Sequence, residues 1–515
     1  MTSPSRRDLF RAAGAVGAAG ALGAAGVAVS AAPAAAAPKP GSAFLPSDQN
    51  THLLRRATFG PTPDTLAALR KQGRAKWLAQ QLDPQSIDDS ACTDFIRTRF
   101  PHLSWTMPEA KRKVGADKWE YMISLSMATI GRAVWSKRQL FEVMCEFWSN
   151  HLNVTAPAGK GIYFSRSDYD RNVIRKHALG RFEDLLTASA QHPAMLIYLN
   201  NDESTKLAPN ENYGRELLEL HTVGVDGGYN EADMANSALI MTGFGFDKSS
   251  GLFKYHPADH YTGPVAVMGF SDPNASDVGG HDVGLSYVKY LAHHPSTAQH
   301  LAYKLCVRFI SDTPDPAFVS ELASVYLAND TAIAPVLQHL FSSATFASSI
   351  GQKTRRPFED VVATLRILGY QPERKGVTGM RALYFVCNEV GQPPFGWPQP
   401  NGYPDDAVSW ASAGTTMNRW NRHLALAAHW WPTQLRQPDL RTLLPKRLPR
   451  THGALVDDLA KRLVFRSLAA EHEKVVLHFL GRRATDPLDR NSPALGWKLP
   501  SVVALILDSP YHGMR

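Results

Sequence analysis

The sequence predicts an all-α protein, a large multi-helix globular array with few or no strands and two long irregular loops. Apolar residues recur at intervals of three and four along most of the chain, whereas alternating apolar and polar runs are nearly absent. Two irregular stretches, residues 246–281 and 391–410, interrupt this pattern. Of the 515 residues, 44% are hydrophobic and 20% are charged, which is typical of a folded protein. We expect residues 39–515 to form a single helical domain.

The helical pattern is clear in successive segments of the chain. The first has Pro63 near its start and Pro84 after its end, where proline is tolerated best. One segment, 251–270, is better suited to a short hairpin. The predicted helical segments are 63–82, 137–152, 168–190, 210–224, 230–244, 294–310, 315–327, 332–346, 356–370 and 456–480.

The first 38 residues have the features of an export signal. Arg6 and Arg7 precede a run of alanine, glycine and valine, and small residues that suit a cleavage site follow. The paired arginines favour the twin-arginine translocase, and the alternative is the general secretory route. No later run of about 18 apolar residues occurs, so we expect no stable membrane span and a secreted or extracytoplasmic protein.

Composition and motifs exclude several common functions. The net charge of +8 is spread over the chain without a run of basic residues, so nucleic-acid binding is not expected. The four cysteines contain no C-x-x-C pair, which disfavours a cysteine zinc site. The sequence also lacks the G-x-S-x-G elbow, the Walker loop, the dinucleotide fingerprint and H-E-x-x-H.

The segment NENYGRELLELHTVG, residues 210–224, concentrates polar groups on one side of a mostly apolar helix. At about 100° per residue, a narrow stripe contains Asn212, Arg215, Glu216 and Glu219. One interpretation is a solvated face on which Arg215 pairs with Glu219. The other is a buried carboxylate site in which Glu216 acts as a base or a ligand.

A second helix, in residues 139–154, has the same design. Glu146 lies on its polar side, and His151 lies on its apolar side, as His221 does on the other helix. A single core histidine is usually only hydrogen-bonded. Two histidines that met in space, near Glu146 or Glu216, would be able to hold a metal or share a proton.

Long motifs in this order resemble the bacterial family known as domain of unknown function 1800. The resemblance covers residues 50–430, with a helical extension over 431–515. The motifs are HLLRRATFGPTPDTLAAL, CEFWSNHLNV, IRKHALGRFEDLLTASAQHPAMLIYLNN, NENYGRELLELHTVGVDGGYNEADM and HPSTAQHLAYKLCVRF.

The resemblance implies a helical, exported protein but no established activity. Members of the family are often encoded beside a sulfatase- or phosphatase-like family, which implies a co-exported partner. Members often have a His-Asp pair, for which the best match here is His260 followed by Tyr261. The missing aspartate weakens any metal site implied by the family.

We call the second irregular stretch, residues 391–410, the late loop. It contains four aromatic residues among prolines and glycines: Phe395, Trp397, Tyr403 and Trp410. They can form a stacking platform for a flat ligand. Alternatively, the loop packs over the helical core.

These features lead to two functional hypotheses. The first is an exported hydrolase acting on an extracellular or cell-wall substrate. Its catalytic residues would be those of the stripe: Glu216 as base or metal ligand, Glu219 as second carboxylate, Arg215 as their orienting partner, and Asn212. A divalent metal would be held by His151, His221 and His260, or a carboxylate pair would act without metal. The second hypothesis is a non-catalytic binding or assembly protein that partners the co-exported sulfatase- or phosphatase-like protein.

Overall fold

The computed structural model describes residues 44–159 and 161–515, and the predicted signal peptide lies outside them. In these residues the regular structure consists of twenty-four α-helices and four three-residue strands, which confirms the predicted all-α class. The helices are α1 (Gln49–Ala57), α2 (Pro63–Gln72), α3 (Arg74–Leu82), α4 (Ser90–Arg99), α5 (Met107–Lys113), α6 (Lys118–Trp135), α7 (Gln139–His151), α8 (Ile162–Tyr169), α9 (Phe182–Ala190), α10 (Pro193–Tyr198), α11 (Glu211–Glu216), α12 (Glu231–Ile240), α13 (Gly280–His293), α14 (Pro295–Phe309), α15 (Pro316–Ala328), α16 (Ile333–Ser342), α17 (Ala344–Ala347), α18 (Pro357–Ile367), α19 (Thr378–Glu389), α20 (Ala413–Ala427), α21 (His452–Val464), α22 (Ala470–Leu480), α23 (Leu499–Leu507) and α24 (Pro510–Gly513).

Several predicted helical segments are divided in the structure. The segment 63–82 becomes α2 and α3 because Gly73, at φ +83°, ends one helix and precedes the next. The segment 456–480 is divided where Phe465, at φ +67°, caps α21. Two other segments contain π-helical turns, Asp170–Arg175 and Leu217–His221. Such turns are rare and leave no clear mark on apolar spacing.

The two irregular stretches differ in their internal structure. Two antiparallel hairpins occupy the first: β1 (Phe244–Phe246) pairs with β2 (Phe253–Tyr255), and β3 (Val265–Val267) pairs with β4 (Phe270–Asp272). The second stretch has only a short 3₁₀ turn at Val408–Trp410.

The described residues from 44 onward belong to one compact unit, and its core is helical. Almost every residue of α18 is buried, as are most residues of α6. Helix α14 packs along α15 through one face, which leaves its other face directed toward α7 and the π-turn at Leu217–His221. The four cysteines are buried and unpaired. Over the part of the chain that the structure describes, no helix is both long and apolar enough to span a bilayer.

Candidate active site

The polar stripe predicted on α11 and the turn after it is a cluster of surface ion pairs. The Arg215 guanidinium, 32% exposed, lies 3.5 Å from Glu211, 3.7 Å from Glu219 and 3.5 Å from Glu231. The side-chain amide of Asn212 donates to a backbone carbonyl at 3.2 Å. This arrangement matches the solvated-face interpretation, in which Arg215 pairs with Glu219. Pairs of this kind add little stability.

Glu216, on the same helix, differs from those residues because it is buried. It lies beside Tyr198 of α10, where burial and the negative charge of Glu216 raise the pKa of the phenol. The Tyr198 hydroxyl in turn donates to the carbonyl of Pro398 at 2.9 Å. Tyr198 therefore connects the neighbourhood of Glu216 with the late loop.

The π-turn after α11 supplies two carbonyl groups to histidines from other helices. His151 of α7 donates its Nε2 proton to the carbonyl of His221 at 3.0 Å. His300 of α14 is hydrogen-bonded to the backbone of Leu220. The ring centre of His151 lies 6.5 Å from that of His221 and 6.1 Å from that of His300. The sequence placed His151 and His221 on apolar helix faces without showing whether they meet; in the structure they are neighbours, and His300 lies beside His151.

Lys304 enters this group of histidines from α14. Its ammonium Nζ lies 2.9 Å from Nδ1 of His151. Because Nε2 of His151 carries the proton given to the carbonyl of His221, its Nδ1 is the acceptor for Lys304. Burial lowers the pKa of Lys304 to about 8, against the opposing attraction of Asp405. We call His151, His221, His300 and Lys304 the His–Lys cluster.

The three imidazoles of the His–Lys cluster are neutral at physiological pH. Burial, and then the Lys304 charge, lower the pKa of His221 and of His300 to about 3. The same two causes hold the pKa of His151 well below its usual range. Nε2 of His221 and Nε2 of His300 are buried without a hydrogen-bond partner among the described residues. The cluster therefore contains an amine of lowered pKa and two buried ring nitrogens that make no hydrogen bond within the described residues.

His260, the third predicted metal ligand, has a separate hydrogen-bonded environment. Its Nδ1 lies 2.9 Å from the carbonyl of Thr242, and its Nε2 lies 2.9 Å from Oδ1 of Asn274. Both ring nitrogens are engaged, as expected for a core histidine. His300, rather than His260, accompanies His151 and His221.

The metal-binding prediction is constrained by Lys304. A histidine ligand usually donates its other ring N–H to a carbonyl, and His151 and His300 are anchored to carbonyls in this way. However, the Lys304 ammonium engages the remaining nitrogen of His151. A divalent ion would need Lys304 to move or to lose its proton, because a cation repels another at this distance.

Two other groups of side chains in the described residues have ligand atoms close enough for a metal ion, namely Asp360–His423–His512 and Glu183–His293–Asp330. In the first, His423 bonds two carboxylates at 2.8 Å and Arg419 pairs with Asp360. In the second, Arg181 pairs with both carboxylates. Both groups fit ion-pair networks better than metal sites, since basic side chains already occupy their carboxylates.

A buried ion network adjoins the His–Lys cluster. Arg308, one turn after Lys304, lies 3.1 Å from Glu146, 2.6 Å from Glu359 and 3.3 Å from Asp405. Arg356 binds the same three carboxylates. The network thereby ties α7, α14, α18 and the late loop together around Lys304.

A small cavity of about 30 Å³ lies beside Glu146 and is also lined by Ser149, Asn150 and Tyr403. That volume is enough for roughly two water molecules. The lining also includes Phe59, Phe358 and Phe395, so bound water would contact polar groups only on the side of the ion network.

The late loop packs onto the end of α7. Asn153 donates to the carbonyls of Trp397 and Gln399, at 3.1 and 2.7 Å. The Tyr403 ring lies between those of Trp397 and Trp410, at 5.2 and 5.9 Å. The aromatic rings contact one another, which supports the interpretation of a loop that packs over the core.

Sequence reasoning missed His300 and Lys304, although both lie in the predicted helical segment 294–310. His300, Lys304 and Arg308 are spaced four residues apart and so occupy one face of a helix. That spacing was the signal available. A basic stripe on a helix whose other face is apolar would have suggested a buried partner.

Comparison with known protein families identifies a family for this chain. The sequence profile of a family described as "Protein of unknown function (DUF1800)" matches residues 52–513. The matched range includes residues 431–513, whereas the resemblance read from the sequence motifs ended at residue 430. No curated protein and no solved structure matches the chain.

Proposed function

The chain belongs to the DUF1800 family, and since that family's description assigns no activity, we propose from the geometry that it is a hydrolase with Lys304 as general base. The observation that carries the proposal is the 2.9 Å contact between Nζ of Lys304 and Nδ1 of His151 in a buried, partly reachable cluster. A buried lysine of lowered pKa is a recurrent catalytic base.

The proposed reaction is hydrolysis of an ester or related acyl linkage. With a pKa of about 8, roughly a quarter of Lys304 is the neutral amine at pH 7.5. The neutral amine takes a proton from water as the water oxygen attacks the acyl carbon. The resulting ammonium then gives that proton to the leaving oxygen as the ester bond breaks. His151 holds Nζ in place through Nδ1, and the unpartnered ring nitrogens of His221 and His300 would form hydrogen bonds with water or substrate.

Access to the cluster is from the side of α14. His151 and His221 are buried, whereas His300 and Lys304 are only partly buried. A substrate would therefore approach past His300 and reach Lys304 first. Partial exclusion of water strengthens the electrostatic interactions at such a site.

An activity screen tests the proposal. Exported protein would be assayed on chromogenic acyl, phosphate and sulfate esters and on glycosides. We expect turnover of an acyl ester to fall about a hundredfold or more in Lys304→Met. The matched control is Lys289→Met, which removes a lysine from the neighbouring helix α13. Full activity in Lys304→Met would overturn the assignment of Lys304 as the general base. Loss of activity in Glu216→Gln, with Lys304→Met fully active, would instead support the carboxylate site at Glu216.

The metal-assisted form of the hypothesis is tested on the same protein. Elemental analysis after native export, and activity with and without a chelator, distinguish the two forms. A stoichiometric divalent metal that is lost in His300→Gln would favour metal assistance, whereas full activity in chelator favours Lys304 alone.

Export is a further part of the proposal. It is supported by Arg6 and Arg7 before an alanine- and glycine-rich run. Replacing both arginines with lysine should retain the protein in the cytoplasm of a twin-arginine-competent host. Unchanged export would contradict the twin-arginine route.

A binding or assembly protein is the second candidate. It is favoured by the pairing of Arg215 with three glutamates and by the shared carboxylates of Arg308 and Arg356. Such networks can fix helix register without any chemistry. Stable co-elution with a co-exported sulfatase- or phosphatase-like protein, unaffected by Lys304→Met, would support this candidate.

A further inference from the structure

An open groove of about 790 Å³ lies among the N-terminal helices. Its walls come from α2, α3 and α4, from the junction of α6 and α7, and from residues 366–372. Small-molecule sites typically enclose roughly 300–1,000 Å³, so the groove is large enough for a ligand of several rings. None of the residues assigned to the His–Lys cluster lines it.

The groove is remote from the proposed catalytic centre. Gln139, the first residue of α7, lines the groove, and His151 is the last residue of that helix. At a rise of about 1.5 Å per residue, these helix ends are about 18 Å apart. A molecule in the groove would not touch Lys304 unless it were an extended chain.

One wall of the groove offers a fixed aromatic surface. Trp135 and Phe95 meet edge to face with ring centres 5.2 Å apart, and both are only partly buried. The indole N–H of Trp135 donates to the carbonyl of Tyr370 at 2.8 Å, which locks the ring orientation. A ligand that stacks on this surface would pay little side-chain entropy.

Another part of the lining carries polar groups with unused hydrogen-bonding capacity. Nε2 of Gln72 donates to Oε1 of Gln80 at 2.9 Å, which leaves the Gln72 oxygen and the Gln80 nitrogen for a ligand. Within the described residues, the Trp77 indole N–H has no hydrogen-bond acceptor, and Trp77 also lines the groove. These groups supply donors and an acceptor in the same groove as the aromatic rings.

The charges around the groove are few and of mixed sign. Asp64, Asp88 and Lys137 are exposed at its edge, and Arg366, whose guanidinium donates to two backbone carbonyls, also lines it. The basic cluster that a polyphosphate or sulfated chain requires is missing from this lining of described residues. The charge pattern therefore favours a neutral ligand.

We propose that this groove binds a neutral oligosaccharide. A sugar ring presents an apolar C–H face, which stacks on aromatic rings, and hydroxyl groups at its rim, which bond to amides. Trp135 and Phe95 would take the ring face, while Gln72, Gln80 and Trp77 would bind the hydroxyls. The groove would hold a glycan chain independently of catalysis at Lys304.

Binding is measured by calorimetry with two probes, chitotetraose and cellotetraose, on the full mature chain. We expect at least one probe to bind, and Gln80→Ala to weaken binding about fivefold or more. Gln338→Ala, at a half-buried glutamine on α16 outside the groove lining, is the matched control and should bind normally. Trp135→Phe, which keeps an aromatic ring but loses the bond to Tyr370, should also weaken binding.

The outcomes separate this inference from the proposed hydrolase. Lys304→Met should bind the same probe with unchanged affinity, whatever its activity. Absence of binding of either probe up to about 10 mM would overturn the inference. Wild-type affinity in both Gln80→Ala and Trp135→Phe would also overturn it. A clear preference for a sulfated oligosaccharide over both probes would do the same.

Discussion

Replacing Glu359 with glutamine should destabilise the protein strongly, because this carboxylate lies at the centre of the buried ion network. One of its oxygens lies 2.6 Å from Arg308, 2.7 Å from Arg515 and 3.1 Å from Arg356. The other accepts from the backbone N–H of Arg356 at 3.1 Å. Burial acts to raise the pKa of Glu359, but Arg515, Arg308 and Arg356 hold it well below its usual range.

The size of the effect follows from the charge balance of the network. Its cations are Arg308, Arg356, Arg515 and Lys353, and its carboxylates are Glu146, Glu359, Asp405 and Asp312. The substitution Glu359→Gln keeps the shape but leaves one buried cation without compensation. Breaking a buried pair in this way costs about 3–5 kcal/mol, a large part of the typical 5–15 kcal/mol stability of a domain.

Arg515→Met provides the matched partner variant. Burial, and then the charge of Arg515, lower the pKa of Arg56 well below its usual value, so removing Arg515 relieves a repulsion. We therefore expect Arg515→Met to cost less than Glu359→Gln. The double variant restores the balance, so its cost should fall short of the sum by about 1–3 kcal/mol.

Urea unfolding of the four proteins, followed by circular dichroism, measures this double-mutant cycle. A cost below about 1 kcal/mol for Glu359→Gln, or strict additivity in the cycle, would refute the central role of this carboxylate.

Two further predictions concern the loop and a second ion network. Gly402→Ala should cost about 2 kcal/mol or more, because a Cβ there would lie 2.1 Å from the carbonyl oxygen of Asn150 at φ +69°. Gly376→Ala, at φ +75° with open space around it, is the control for backbone strain, and equal urea midpoints for the two variants would contradict the steric explanation. Burial opposes protonation of His423, but Asp360 and Asp508 raise its pKa to about 9. The protonated ring therefore adds its full contribution to the free energy of unfolding below pH 6.5, and this contribution is lost as the pH rises through 9. Between those pH values the free energy of unfolding of the wild type should fall by about 3 kcal/mol relative to that of His423→Gln. Parallel pH profiles of the unfolding free energy in the two proteins would contradict this.

The sequence was sufficient for the fold class because apolar spacing reports helices directly. It was poorer at their ends: Gly73 and Phe465 divide predicted segments, and the pattern does not reveal which glycine or phenylalanine adopts a positive φ. The π-turn at Leu217–His221 could not be predicted either. Its wider i→i+5 turn changes the angular positions of the following residues, including His221, and the sequence has no clear signal for it.

The site was predicted in part. His151 and His221 were recognised as histidines on apolar faces, and the structure brings them together. Lys304 was not recognised, because its burial depends on how α14 packs against α7, which periodicity cannot supply. His260 was selected through a family pattern, and its environment of Thr242 and Asn274 depends on contacts distant in sequence. The roles predicted for Glu216 and Glu219 stay predictions, tested by their glutamine variants in the ester assay.

The protonation of Lys304 is the most direct test of the proposed centre. In protein labelled with ¹³C at lysine side chains, the Lys304 signal is assigned by its loss in Lys304→Met and followed across pH. We expect its titration midpoint near pH 8, as burial beside His151 requires. A midpoint at or above the ordinary lysine value of about 10.4 would contradict Lys304 as the base.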